Sequence, residues 1–108
     1  MFRRPQFQLM KPTAYLINIG RGAIVDLADL VAALEAKEIA GAGLDVYETE
    51  PLPSGHPLYR LENVLLSPHC ADHTPGFAEA DMEFFMQNLQ KFLNDEPLGN
   101  VVDKEAGY

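Results

Sequence analysis

Between residues 14 and 46 an apolar run, an amphipathic segment and a second apolar run follow one another, and this alternation restricts the fold more than any other feature. Ala14-Tyr15-Leu16-Ile17-Asn18-Ile19 is short and nearly continuously apolar, which fits a strand buried on both faces. Asp26 stands where a helix N-cap belongs, and Asp29 adds favourable negative charge to the first turn. Leu27, Leu30, Val31 and Leu34 recur at i, i+3, i+4 and i+7, so the spacing predicts a helix over 27–37 with one apolar face. Ile39 to Val46 is then a strand of small and apolar residues. Strand, helix and strand in so short a span make a βαβ unit, which implies parallel strands and a right-handed crossover.

The rest of the chain extends this unit. Residues 1–9 have no clear period and read as a loosely ordered lead-in with a short helical turn. Residues 47–62 form a long loop rich in proline (Pro51, Pro53, Pro57), and loops of that length are often functional. Asn63-Val64-Leu65-Leu66 reads as a third strand, with Ser67-Pro68-His69 at its end. After a loop from Ala71 to Gly76, Met82, Phe85, Met86, Leu89 and Leu93 mark a helix from Phe77 to Asn94, and Phe84 and Phe92 widen its apolar face. Asp95-Glu96-Pro97 ends that helix, and residues 98–108 read as an extended tail. The pattern is α/β.

With 108 residues the chain is long enough for one small core and not for two. A net charge of −8 argues against a nucleic-acid or anionic-membrane surface, because both need clustered Lys and Arg. A lone cysteine, Cys70, excludes an internal disulfide and suits a reducing compartment. No apolar run approaches the ~18 residues of a membrane span, and no signal-peptide core follows Arg3 and Arg4. The expectation is a cytoplasmic, soluble domain without nucleic-acid or membrane partners. Three histidines and one cysteine, scattered without ligand spacing, give no metal site.

Each strand delivers something polar at its end: Arg21 after the first, Asp45, Glu48 and Glu50 after the second, His69 after the third. Parallel strands place these ends on one sheet edge, where ligands of open α/β sheets bind. An arginine that clamps a carboxylate, a histidine that exchanges a proton near neutrality and a carboxylate that orients it form a coherent set. The set suits a substrate with a carboxylate beside a carbonyl or hydroxyl carbon. A buried Glu50 would raise the pKa of His69 and hold it protonated as the acid for carbonyl reduction.

Leu16-Ile17-Asn18-Ile19-Gly20-Arg21-Gly22, then Gly41-Ala42-Gly43-Leu44-Asp45-Val46-Tyr47 with Glu50-Pro51, then Ser67-Pro68-His69 resemble three successive signatures of the D-isomer-specific 2-hydroxyacid dehydrogenases, the family of phosphoglycerate dehydrogenases and glyoxylate/hydroxypyruvate reductases. The resemblance covers roughly residues 9–103 and implies an incomplete Rossmann-like parallel sheet of about three strands with flanking helices and a long C-terminal helix. It implies that Arg21 binds the substrate carboxylate, Glu50 pairs with the catalytic His69, and Asp45 contacts the nicotinamide carboxamide. The implied reaction is hydride transfer between NAD or NADP and a small 2-oxo or 2-hydroxy acid, with His69 supplying the proton. It further implies that residues 1–94 are the C-terminal portion of an NAD(P)-binding domain and that 95–108 is a tail returning to a substrate domain. The family's Gly-x-Gly-x-x-Gly turn and the acidic residue beyond it do not occur in these 108 residues, and Gly41-Ala42-Gly43 lies inside a strand and does not replace that turn. Asp72 also stands where the family often has glycine. The isolated chain is therefore expected to bind the cofactor weakly or not at all and to be inactive by itself.

Plainer readings stand beside these. Arg21 is also readable as a solvated turn residue, Asp45 and Glu50 as surface acids, and His69 as a satisfied core histidine. Glu48 is assigned to water, His56 and His73 to loops, and Cys70 to a small buried hydrophobe rather than a nucleophile. The alternative to an enzyme piece is a non-catalytic remnant or interaction module on a half-Rossmann scaffold. The apolar stripe of the last helix, short of cover, predicts a homodimer or other self-association.

Overall fold

The computed structural model describes residues 1–107. Tyr108, the last residue of the expected tail, lies outside the described residues. The chain divides into two compact units, residues 1–71 and the residues from Asp72 onward.

The first unit holds helix α1 (Arg4–Phe7), strand β1 (Tyr15–Asn18), helix α2 (Leu27–Glu35), strand β2 (Gly41–Leu44) and strand β3 (Val64–Leu66), with single 3-10 turns at Gly22–Ile24 and Pro57–Arg60. The strands pair in parallel in the order β1-β2-β3. The register aligns Leu16 with Ala42 and Val64, and Asn18 with Leu44 and Leu66. Side chains alternate across a sheet, so these six share one face. It is the core face, where Ala42 and Leu44 are buried with Leu27, Leu30, Ala33 and Leu34 of α2.

The opposite face corrects the first expectation. The residues on the other parity, Tyr15, Ile17 and Leu65, are 69%, 72% and 75% exposed, so β1 is not buried on both faces. An apolar run reports that a strand has little polar character; which faces find cover depends on what packs there.

The helix boundaries have local causes. Asp26 caps α2 by accepting the Asp29 N–H at 3.1 Å, as its position suggests. The helix stops at Glu35 rather than residue 37 because Lys37 takes a left-handed conformation (φ 55°). The Lys37 N–H then reaches the Leu34 carbonyl and the Glu38 N–H the Ala33 carbonyl, a Schellman closure built without glycine. The N-terminal segment is also better fixed than its sequence suggests. Phe7 is fully buried against Phe2, with ring centroids 5.3 Å apart, and Phe2 bridges Val25 in parallel. Arg4 ties α1 both to the first turn of α2 and to the segment after it, its N–H donating to Asp29 and its guanidinium 2.6 Å from Glu38.

The second unit is built on α3 (Phe77–Leu93), one residue shorter than expected. Asp95, left-handed at φ 56°, ends it as Lys37 ends α2, with the Glu96 N–H donating to the Lys91 carbonyl at 2.8 Å. The tail is not simply extended. Gly99 donates its N–H to the Asn88 side chain at 2.7 Å, and Asp103 caps a turn through the N–H groups of Glu105 and Ala106. Among the described residues no helix is long and apolar enough to cross a membrane.

Candidate functional site

The site is built at the carboxyl ends of β1, β2 and β3. At the end of β1 the buried Asn18 shapes the turn. Its side-chain amide donates to the Arg21 carbonyl at 3.0 Å, and its Oδ1 accepts the Gly20 N–H at 3.2 Å. Gly22 is needed here for space: a Cβ would lie 1.9 Å from the Tyr47 carbonyl oxygen. The turn after β1 therefore abuts the backbone after β2. Arg21 is exposed, donates from its guanidinium to the Gly20 carbonyl at 2.7 Å, and forms no ion pair among the described residues.

At the end of β2, Asp45 is buried, and three donors satisfy its carboxylate. The Ser67 hydroxyl and the Cys70 N–H donate to Oδ1 at 2.6 and 2.9 Å, and the Ala71 N–H donates to Oδ2 at 2.8 Å. The Asp45 carbonyl accepts the His69 N–H at 2.8 Å. The Ser67 hydroxyl first, then the Cys70 N–H, hold the Asp45 carboxyl down at about 2, with Ala71 and the nearby His69 adding to them against the cost of desolvation. The reading of Asp45 as a surface acid is thereby corrected: it organises the whole turn after β3.

Glu50 belongs to the loop after β2. Its Oε1 accepts the Tyr47 N–H at 2.9 Å, while Oε2 lies 2.7 Å from His69 Nδ1. The hydrogen bond to His69, then that from Tyr47, lowers the Glu50 pKa. An ionised Glu50 makes His69 Nδ1 the donor and leaves Nε2 as the nitrogen open to exchange a proton. The pair is not buried, which corrects that expectation: the side chains of His69 and Glu50 are 48% and 34% exposed. His69 itself is left-handed, at φ 53°. The histidine and glutamate are thus in direct contact, Asp45 holds the turn that carries the histidine, and Arg21 stands at the neighbouring strand end.

Glu48 is exposed, yet it does more than face water, since its Oε1 accepts the Leu27 N–H at the start of α2 at 3.2 Å. His56 is a loop residue whose Nδ1 accepts the Leu58 N–H. Cys70 is half-buried and enters the site through its N–H. Beside the His69–Glu50 pair lies a cleft of about 490 Å³ lined by Tyr47, Leu52, Tyr59 and Pro68 as well as by the pair itself. Among the described residues no cluster of three His, Cys, Asp or Glu could hold a metal ion.

The sequence model of the D-isomer specific 2-hydroxyacid dehydrogenase NAD binding domain matches residues 1–71. This chain belongs to that family. It is 45% identical over 106 residues to the glyoxylate reductase of Thermococcus gammatolerans, covering 98% of this chain and 31% of that protein. A 42% match to an uncharacterized Corynebacterium melassecola protein covers 92% of this chain and 33% of that one. Among solved structures, the NADPH-dependent glyoxylate/hydroxypyruvate reductase of Sinorhizobium meliloti, in complex with NADP and sulfate, superposes with a TM-score of 0.86 at 31% identity, covering 99% of this chain and 35% of that one. A D-isomer specific 2-hydroxyacid dehydrogenase from Xanthobacter autotrophicus, in complex with NADPH and MES, gives 0.84 at 38% identity, covering 97% and 43%. The chain spans about a third of the length of the curated relatives it matches.

Asp45 Oδ2 accepts one hydrogen bond from the chain, that of the Ala71 N–H, which is compatible with a second from a carboxamide N–H. Gly22, by contrast, is filled by the Tyr47 backbone and is no phosphate cradle.

Ser67 and Tyr47 belong to the signature stretches, but nothing in the sequence gives either a role. The Tyr47 hydroxyl lies 3.1 Å from the Leu44 carbonyl and 2.9 Å from the Ser67 carbonyl, and burial pushes its phenol pKa up. Only their places, one beyond β2 and the other just before Pro68-His69, marked them in the sequence.

Proposed function

We propose that this chain carries the nicotinamide side of an NAD(P)-dependent 2-hydroxyacid dehydrogenase, with residues 1–94 as the C-terminal portion of the cofactor domain and 95–108 as the segment returning toward a substrate domain. The observation that carries this reading is the 2.7 Å contact between His69 Nδ1 and Glu50. A nicotinamide held through Asp45 would supply or accept a hydride at the 2-carbon of a small 2-oxo or 2-hydroxy acid. Arg21 clamps the substrate carboxylate. His69 gives a proton from Nε2 to the carbonyl oxygen during reduction and takes it back during oxidation. Glu50 orients the ring through Nδ1. Asp45 accepts from the carboxamide through Oδ2. Alone, the chain binds NAD or NADP weakly, because no Gly-x-Gly-x-x-Gly turn holds the pyrophosphate.

The test replaces the matching third of the Thermococcus gammatolerans glyoxylate reductase with this chain. The chimera is expected to oxidise the reduced cofactor with glyoxylate, and His69→Ala to slow it by about 10²–10⁴. A folded chimera that binds the cofactor without turnover overturns the reading. It would favour the second one, an interaction module, which the exposed Tyr15, Ile17 and Leu65 support. The same apolar face supports a homodimer of the isolated chain.

A further inference from the structure

We infer that Ser67 is a positioning residue for His69, its hydroxyl closing onto Asp45 the turn that sets the imidazole against Glu50. The inference rests on His69 and Glu50 acting as the proton-handling pair.

His69 is a non-glycine residue held left-handed, a conformation that persists only where its surroundings enforce it. Restraints from both sides of the turn converge on Asp45. On the exit side of the turn, the Cys70 and Ala71 N–H groups bind its carboxylate, and the His69 N–H binds its carbonyl. On the entry side both main-chain groups of Ser67 are engaged elsewhere: its N–H donates to Leu44 and its carbonyl meets the Tyr47 hydroxyl. The Ser67 hydroxyl is therefore the bond that links entry and exit through one carboxylate. At 2.6 Å to an ionised acceptor it is the shortest of the set, and charge assistance makes it strong. It is also the largest cause of the lowered Asp45 pKa. Pro68, between Ser67 and His69, removes one backbone donor and restricts φ, so a shift at Ser67 passes directly to His69.

Removing the hydroxyl should relax the left-handed turn and separate Nδ1 from Glu50 without touching either partner. The experiment records the ¹⁵N signals of the His69 imidazole in the 108-residue chain at one pH near neutrality, for wild type, Glu50→Ala, Ser67→Ala and Ser67→Thr. Backbone amide signals of α2 serve as the check on folding. Glu50→Ala, which removes every acceptor from that side chain, defines the signal of the unpaired ring. Ser67→Ala is expected to move the Nδ1 signal toward that position with α2 unchanged, and Ser67→Thr, which keeps a hydroxyl, to stay with wild type. A merely structural role would leave the imidazole signals in place while lowering stability. A folded Ser67→Ala with the wild-type signal overturns the role of Ser67. Should Ser67→Ala fail to fold, a folded Ser67→Thr whose Nδ1 signal has moved to the Glu50→Ala position overturns it equally, and a wild-type signal there upholds it. If Glu50→Ala itself leaves the ring signals unmoved, the His69–Glu50 pair fails, and with it both this inference and the functional reading.

Discussion

Asp45 and Gly22 show how single residues fix the site for different physical reasons. Asp45 is a buried carboxylate with three donors, and its pKa is lowered from the ordinary 3.8 to about 2. A depressed carboxylate contributes stability that is complete above its unfolded pKa and is lost as pH falls through the folded one. Chemical denaturation of the chain should therefore show stability declining from about pH 4 toward pH 2, and Asp45→Asn should flatten part of that decline. The lowered pKa values of Glu50 and Asp103 contribute in the same direction. An amide also turns N–H toward the Cys70 or Ala71 N–H, so the variant should melt at a lower temperature above about pH 4, where wild-type Asp45 is ionised. Gly22 acts through space. Gly22→Ala puts a methyl into the Tyr47 carbonyl and should cost about 1–3 kcal/mol or more, measured by urea unfolding. Gly20→Ala is the control, since its methyl meets nothing nearer than 3.5 Å and should be tolerated.

Among the elements, α2 best joins a sequence signal to a structural consequence. Its cap at Asp26 and its apolar stripe follow from composition and period, and removing the cap with Asp26→Ala should cost about 1 kcal/mol. Its end does not follow from the sequence. Lys37 occupies a left-handed position that glycine ordinarily takes, and an L-residue there costs about 1–2 kcal/mol. Lys37→Gly should therefore raise stability by a fraction of that cost, about 1 kcal/mol, read from the shift in the denaturation midpoint. A drop would show that the Lys37 side chain contributes more than its backbone conformation costs. The strands shortened for a related reason. Asp45 and Val46 are buried but lie beyond the paired residues of β2, since the chain there turns to serve the site.

The molecule as a whole leaves much apolar surface uncovered. Tyr15, Ile17 and Leu65 stand on the open face of a parallel sheet, a type of sheet usually covered on both faces. Such a surface favours association, and the isolated chain should sediment as a dimer or larger species whose size falls on dilution. Ile17→Lys with Leu65→Lys should shift it toward monomer while leaving the far-UV circular dichroism unchanged. A monodisperse wild-type monomer at high concentration would count against this face as a contact surface.

The succession of strands along the chain, the helix between the first two, the polar residues at each strand end and the family could all be read from the amino acids in line. Periodicity and short motifs are local properties, and Asp26, Leu30 and His69 state them directly. The burial of β1, the left-handed stops at Lys37 and Asp95 and the anchoring of the tail at Gly99 depend on which groups meet across the fold. The same holds for the site. Glu50 could be paired with His69 from the resemblance, but Asp45 clasping the Ser67–Ala71 turn required both strand ends in place. A carboxylate in a sequence shows its charge but not its donors, and here the donors lie more than twenty residues further along the chain.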